Sequence, residues 1–106
     1  MEVRQVELAE IEGLLALIDE YDRPISSRPS QGRIRDIYTA IRRSGGCIVG
    51  AFTEEGNLLG TCTLNVCPNL SWSGRPYAII ENVIVAANYR NQGIGKQILS
   101  YAKACA

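Results

Sequence analysis

The spacing of the apolar residues changes twice along this chain, and the order of those changes limits the fold more than any other feature of the sequence. Helical spacing covers residues 7–21 and 33–43, short β-rich runs follow from Cys47 to Val85, and helical spacing then returns. A weakly alternating segment over residues 1–6 predicts a first strand. The resulting order is β-α-α-β-β-β-α, which predicts an α/β fold (α+β, with a mixed sheet).

Two helices are predicted in the first half of the chain. The first covers residues 7–21, and the second runs roughly from Arg33 to Arg43, where Gly45 and Gly46 end it. The segment between them, residues 23–32, contains two prolines, three serines and a glycine and is predicted to be a loop. The residues expected to face the core recur at helical spacing: Ile11, Leu14, Leu15, Ile18 and Tyr21 in the first helix, and Ile34, Ile37, Tyr38 and Ile41 in the second.

Three strands are predicted in the middle of the chain. Residues 47–52 and 58–66 form a hairpin around a turn at residues 54–57, and a longer connection over residues 68–76 leads to a third strand at 77–85. Trp72 lies in that connection, where it either anchors the loop against the core or contacts an acceptor or partner. Strict alternation sorts the third strand into two faces: Ile79, Glu81, Val83 and Val85 on one, and Ile80, Asn82 and Ile84 on the other.

The composition excludes several classes of function. Lys and Arg number 11, as do Asp and Glu, and this zero net charge argues against a nucleic-acid binder with a basic face. No apolar run approaches the roughly 20 residues of a membrane helix, and the N-terminus has no apolar signal core, so a cytoplasmic protein is expected. The chain has no histidine, which removes histidine-based catalysis. Its four cysteines lack C-x-x-C spacing, and we expect reduced, mostly buried thiols without a disulfide or zinc.

The segment over residues 81–96 carries the chemistry. A β run leads through a turn into a glycine-containing loop, and a helix follows from about Gln92 to the end of the sequence. The first N–H groups of a helix have no partner within it, and Gly93 and Gly95 would let a ligand approach the backbone closely. Arg90 and Lys96 add positive charge, so the segment predicts a diphosphate site. The alternative is that both glycines serve only a turn or helix packing.

Two standard nucleotide loops fit this segment poorly. A G-x-G-x-x-G loop would need glycine where Ile98 stands, and no G-x-x-x-x-G-K-[ST] loop occurs. The run Arg90-Asn91-Gln92-Gly93-Ile94-Gly95 instead resembles the R/Q-x-x-G-x-G/A signature of the GNAT family of N-acetyltransferases. The strand over residues 80–85, the lead-in Asn88-Tyr89-Arg90 and the order of elements are also similar to that family.

The resemblance implies a GNAT-like acyl-CoA N-acyltransferase fold and acetyl-CoA as co-substrate. The backbone around Ile84 and Val85 would pair with the pantetheine arm as an added strand does. The pyrophosphate would be held by the backbone N–H groups of five residues: Gln92, Gly93, Ile94, Gly95 and Lys96. Arg90 and Asn91, which precede them in the signature, complete the cofactor-binding residues.

Glu81 is the candidate catalytic residue, as a general base or as a contact to the substrate. The acceptor amine must lose a proton, and Glu81 is a carboxylate in an otherwise apolar strand, where burial would tune it for proton abstraction. The alternative is that Glu81 is a solvated carboxylate at the edge of the sheet. Asn82 is expected to have a structural role. Arg28, Arg33 and Arg35 follow a loop that in this family lines the acceptor site, but solvated charge on a helix face is the favoured interpretation.

The resemblance also implies that residues 1–106 form one incomplete domain, without the later strands and helix of the family. The open edge of the strand over residues 77–85 then predicts self-association, or a longer protein. The favoured function is an N-acetyltransferase that moves acetyl from acetyl-CoA to a small-molecule or peptide primary amine, by direct attack in a ternary complex. The alternatives are an inactive module that binds CoA weakly or serves in assembly, and a phosphate-ligand binder unrelated to acetyl transfer.

Overall fold

The predicted order of elements is confirmed in a computed structural model that describes residues 1–21 and 27–105. Residues 23–26 of the predicted loop, and the predicted core position of the Tyr21 side chain, lie outside what is described. Short 3-10 turns precede α1 and α3. The elements in chain order are β1 (Glu2–Gln5), α1 (Ile11–Tyr21), α2 (Gln31–Arg43), β2 (Cys47–Phe52), β3 (Leu58–Cys67), β4 (Tyr77–Val85) and α3 (Ile94–Cys105).

The four described strands form one antiparallel sheet in the order β1-β2-β3-β4. The predicted hairpin is present, and its turn is closed by the Thr53 N–H donating to the Asn57 carbonyl at 2.9 Å. Alternating side chains of β2 and β3 feed two cores. The core under α3 contains Val49, Cys62, Leu64 and Ile98, and the core under α1 and α2 contains Val6, Leu14, Ile34 and Phe52.

The helical stripes are only partly as predicted. Ile11, Leu14 and Ile34 are buried, as predicted. Leu17 is also buried, although it was not among the residues expected to face the core. Ile37 is 40% exposed, because at its level α2 faces an open groove rather than the core. Helix α2 begins earlier than predicted: the Ser30 side chain accepts a hydrogen bond from the Arg33 N–H at 3.2 Å and caps its N-terminus.

Helix α2 is tied to the end of β1 by a side chain that the stripe predicted to be in the core. The Tyr38 hydroxyl donates to the Val6 carbonyl at 2.9 Å, and its ring packs with the core under α1 and α2. The hydrogen bond satisfies the polar end of a ring whose body is partly buried. The predicted core position of Tyr38 is therefore confirmed.

A β-bulge interrupts the pairing of β4 with β3. The register shifts between Thr61 and Thr63, and Asn82 adopts the left-handed conformation with φ of 55°. Because the bulge adds one residue to β4, Ile80 and Val85 both pack against the core under α3. Strict alternation had placed them on opposite faces, and that prediction is wrong.

The four cysteines carry free thiols, but they are not all buried. Cys47 and Cys62 lie in the core under α3, Cys67 is half-buried, and Cys105 is exposed at the end of α3. The expectation of mostly buried thiols is therefore correct for Cys47 and Cys62 and wrong for Cys105. Burial raises the pKa of Cys47 and that of Cys62 to about 11, which keeps both thiols protonated at neutral pH.

Arg4 fastens β1 to the turn before α1. Its two terminal nitrogens each donate to the Glu10 carboxylate at 2.7 Å, and its guanidinium lies 3.9 Å from the centroid of the Phe52 ring. Glu10 also accepts a hydrogen bond from the Glu7 N–H at 3.0 Å. The Arg4 hydrogen bonds, then the one from Glu7, hold the pKa of the Glu10 carboxyl at about 2.

We expect Glu10→Gln to lower stability at neutral pH by a few degrees in Tm, and to have no such effect near pH 2. A lowered folded-state pKa stabilises the protein above the unfolded value of 4.5, and this contribution is lost as the pH falls towards 2. Thermal unfolding of both proteins at pH 7 and pH 2 measures the difference. A gap that is equally large at pH 2 would contradict the assignment to this ion pair.

Candidate active site

The phosphate loop predicted from residues 90–95 lies at the start of α3. A 3-10 turn at Ala87–Tyr89 follows β4, and α3 begins at Ile94, two residues later than predicted. The Gln97 N–H donates to the Gly93 carbonyl at 3.1 Å, which closes the first turn of the helix. The N–H groups of residues 94–96 therefore have no carbonyl one turn earlier in α3, and they mark the positive end of its dipole.

The backbone of this loop forms an open concave turn. Asn91 and Gly93 have φ of 64° and 81°, in the region that favours glycine. A Cβ built on Gly93 would meet no atom of the described structure within 4 Å, so space is open above the turn. A Cβ on Gly95 would lie 3.7 Å from Cγ2 of Val85, an ordinary contact. Gly93 thus allows the backbone to turn, and the space beside it is open.

The side chains of the loop divide between anchoring and exposure. Ile94 is 5% exposed and fixes the first turn of α3 in the core, while Asn91, Gln92 and Lys96 are exposed around the turn. The Arg90 side chain is turned back towards the strand, where its Nε donates to the Val85 carbonyl at 3.0 Å. The structure thus places the predicted loop residues around one turn, and gives Arg90 a partner that the sequence did not reveal.

Within the described residues, β4 is paired along one edge only. The Ala86 N–H donates to the Leu59 carbonyl at 2.8 Å, and Val85 lies opposite Gly60. In an antiparallel pair the backbone groups of successive residues point to opposite edges. The N–H and carbonyl of Val85 therefore point to the open edge, whereas those of Ile84 point to β3. Of the two predicted pantetheine contacts, Val85 is the one whose main chain is accessible.

Glu81 lies on the face of the sheet that carries α1 and α2. It lines an open cavity of about 680 Å³ with Arg33, Asp36 and Ile37 of α2 and with Ile79 of its own strand. The Glu81 side chain is exposed, so the burial expected for a tuned general base is not found. Glu81 stays the candidate catalytic residue only because it lies beside an open cavity.

A second cavity adjoins the first on the same face. It measures about 340 Å³, and its lining is mostly aliphatic side chains of α1 and α2, with Thr63, Asn65 and Asn82 contributed by the sheet. Asn82 therefore does not lie on the face opposite to Glu81, which corrects the strict alternation of β4. Asp36 and Asn65 were missed as lining residues, because the cavities exist only where α2 meets β3 and β4.

The other polar and aromatic candidates have other surroundings. Arg28 donates to Asp19 and to Glu12 at 2.9 Å each, and so ties the segment before α2 to α1. Arg35 lines a separate cavity beside Glu12. Trp72 is 84% exposed, with φ of 52°, so it does not anchor its loop against the core.

Residues 11–106 match the family described as the acetyltransferase (GNAT) family. The chain belongs to the GNAT family of acetyltransferases. It is 28% identical over 102 residues to glucosamine 6-phosphate N-acetyltransferase of Trypanosoma brucei brucei, a match that covers 93% of this chain and 67% of the relative. The resemblance drawn from Arg90–Gly95 is thereby confirmed, and the chain is an N-acetyltransferase by family.

Solved structures confirm the acyl-CoA N-acyltransferase fold. An acetyltransferase of Trypanosoma brucei superposes with a TM-score of 0.82 at 24% identity, covering 97% of this chain and 72% of the other. Glucosamine-6-phosphate N-acetyltransferase of Arabidopsis thaliana gives a TM-score of 0.80 at 16% identity, covering 98% and 72%. At sequence identities of 24% and 16%, these two similarities support the fold and do not identify the substrate. No helix within residues 1–21 and 27–105 of this GNAT chain is long and apolar enough to cross a membrane.

Proposed function

We propose that this chain is an acetyl-CoA-dependent N-acetyltransferase that acts on a primary amine by direct attack in a ternary complex. The observation that carries the proposal is the open turn at Gly93, where the helical N–H groups of residues 94–96 lack a carbonyl one turn earlier. These groups and the helix dipole would hold the pyrophosphate, with Gln92, Gly93 and Lys96 around it. Members of the family use acetyl-CoA as their co-substrate.

The open edge of β4 would hold the pantetheine arm. The Val85 N–H points to that edge and would donate to an amide carbonyl of the arm, as in strand addition. Ile84 would contribute its side chain rather than its main chain. The arm would then run from the phosphate turn along β4 towards Glu81, four residues earlier in the strand.

Acetyl-CoA supplies an acyl group that is activated as a thioester. For attack, the acceptor amine must be unprotonated, and Glu81 faces the cavity from which an amine can approach. Glu81 would attract the ammonium form of the acceptor by charge and take its proton, directly or through a water. Binding amine and thioester together supplies the proximity that direct attack requires.

A panel of primary amines tests the proposed reaction. Release of the CoA thiol in the presence of acetyl-CoA would be followed for amino sugars, polyamines, amino acids and peptide N-termini. Glucosamine 6-phosphate is the first compound to test, because a relative bears its name. Amine-dependent thiol release is expected with at least one class. Saturable binding of acetyl-CoA without turnover of any amine would favour the alternative of a non-catalytic binding module.

Because one edge of β4 is open, we also predict that the chain associates with itself. Tyr77 and Val83 of β4 are 51% and 48% exposed, and a strand edge with unpaired backbone groups can pair with a second copy of itself. Size-exclusion chromatography with light scattering measures the mass in solution. A mass equal to that of one chain across a wide range of concentrations would contradict it.

A further inference from the structure

The Arg90 side chain bonds to a backbone acceptor at the open edge of β4, next to the turn proposed to hold the phosphates. Its Nε lies 3.0 Å from the Val85 oxygen, and the geometry of the ladder directs that oxygen to the open edge. A strand-like ligand at this edge would otherwise find both a donor and an acceptor at Val85. With the Arg90 donor in place, the Val85 carbonyl already has a partner, and the Val85 N–H is the group that remains fully open to the ligand.

We infer that Arg90 is a positioning residue, which ties the open edge of β4 to the phosphate turn and does not act chiefly as a phosphate ligand. The inference rests on the proposed binding of acetyl-CoA. It also gives a recognition rule: the ligand group that lies beside Val85 is a hydrogen-bond acceptor, such as an amide carbonyl.

Short-range hydrogen bonds shape the segment between the two contact points, and the Ala86 N–H anchors its start to the Leu59 carbonyl at 2.8 Å. Residues 86–93 contain a single 3-10 turn, in which the Tyr89 N–H donates to the Ala86 carbonyl at 2.9 Å. The Arg90 N–H reaches the Ala87 carbonyl only at 3.5 Å, and the Gln92 side chain reaches the Asn88 carbonyl at 3.4 Å. The 3.0 Å bond from Arg90 to Val85 is a direct link between the open strand edge and the turn.

The separation of strand edge and turn matters because one ligand would bind both. A ligand with two contact points binds tightly when the two sites are held at the matching distance, since the second contact is then made at high effective concentration. Removing this hydrogen bond should weaken the binding of a ligand that spans both sites. It should leave a ligand that reaches only the turn almost unaffected.

Binding measurements with two ligands separate positioning from direct phosphate contact. Isothermal titration would compare acetyl-CoA, which spans both sites, with ADP, which offers a diphosphate without a pantetheine arm. We expect Arg90→Ala to lower the affinity for acetyl-CoA roughly 10- to 100-fold and the affinity for ADP less than about 2-fold. Arg90→Gln retains an N–H donor without charge and should restore most of the affinity for acetyl-CoA. Lys96→Gln is the charge-matched control and should weaken both ligands by a similar factor.

Equal weakening of both ligands by Arg90→Ala, with no rescue by Arg90→Gln, would overturn the inference and make Arg90 a phosphate ligand. If the unaltered protein binds neither ligand, the proposed function fails instead, and amide hydrogen exchange then tests Arg90 separately. Faster exchange over residues 86–93 in Arg90→Ala than in Arg90→Gln supports positioning. Equal exchange in the two variants contradicts it.

Discussion

Gly95→Asp is expected to reduce the affinity for acetyl-CoA by about two orders of magnitude or more while leaving the fold intact. The new carboxylate would stand at the opening of α3, where the diphosphate is proposed to bind. At an effective dielectric near 20, like charges about 4–5 Å apart repel by roughly 4 kcal/mol. The fold should survive, because a Cβ at Gly95 meets Val85 only at 3.7 Å and the backbone there needs no positive φ.

Gly95→Ala is the matched control for this change. It adds the same Cβ without a charge, so it should bind acetyl-CoA within a few-fold of the unaltered protein. Isothermal titration gives the dissociation constants, and circular dichroism with thermal unfolding checks the fold. Unchanged affinity in a folded Gly95→Asp protein would show that the phosphates bind elsewhere, and the transferase site assigned to this loop would be wrong.

Glu81→Gln is expected to lower kcat roughly 100- to 1,000-fold, with little change in the dissociation constant for acetyl-CoA. Proton transfer by a positioned side chain contributes about 10²- to 10⁴-fold to a rate. The low end applies here because Glu81 is exposed and a water can carry part of the proton transfer. The amide keeps the size of the side chain but removes its negative charge and its ability to accept a proton.

Asp36→Asn removes a carboxylate from the same cavity and is the control for Glu81→Gln. Asp36 lies on α2 rather than on β4, and its loss should change KM for the amine more than kcat. Steady-state kinetics over a range of pH, together with titration of acetyl-CoA, separates the two effects. If Glu81→Gln alters only KM, Glu81 binds the acceptor but does not take its proton. Full activity would remove Glu81 from the site.

The parts of the fold that were predicted correctly are those with local causes. The hairpin turn at residues 54–57 and strand β2 are as predicted, because the turn residues and the change of apolar spacing lie in the same few positions. The loop at Arg90–Gly95 was also found from a short motif, whose glycines mark where the backbone turns. In contrast, Ile37 of α2 was predicted to face the core but is exposed, because its exposure depends on what lies across the groove.

The sequence by itself determined the order of elements, the family and the position of the glycine-containing loop before α3. Each of these depends on residues that are neighbours along the chain. Only the tertiary structure decided that a bulge at Asn82 shifts the faces of β4, that Glu81 is exposed, and that Arg90 bonds to Val85. These features depend on how β4 pairs with β3 and on where α2 and α3 pack. Such contacts join residues that are distant in sequence, and no spacing within one segment records them.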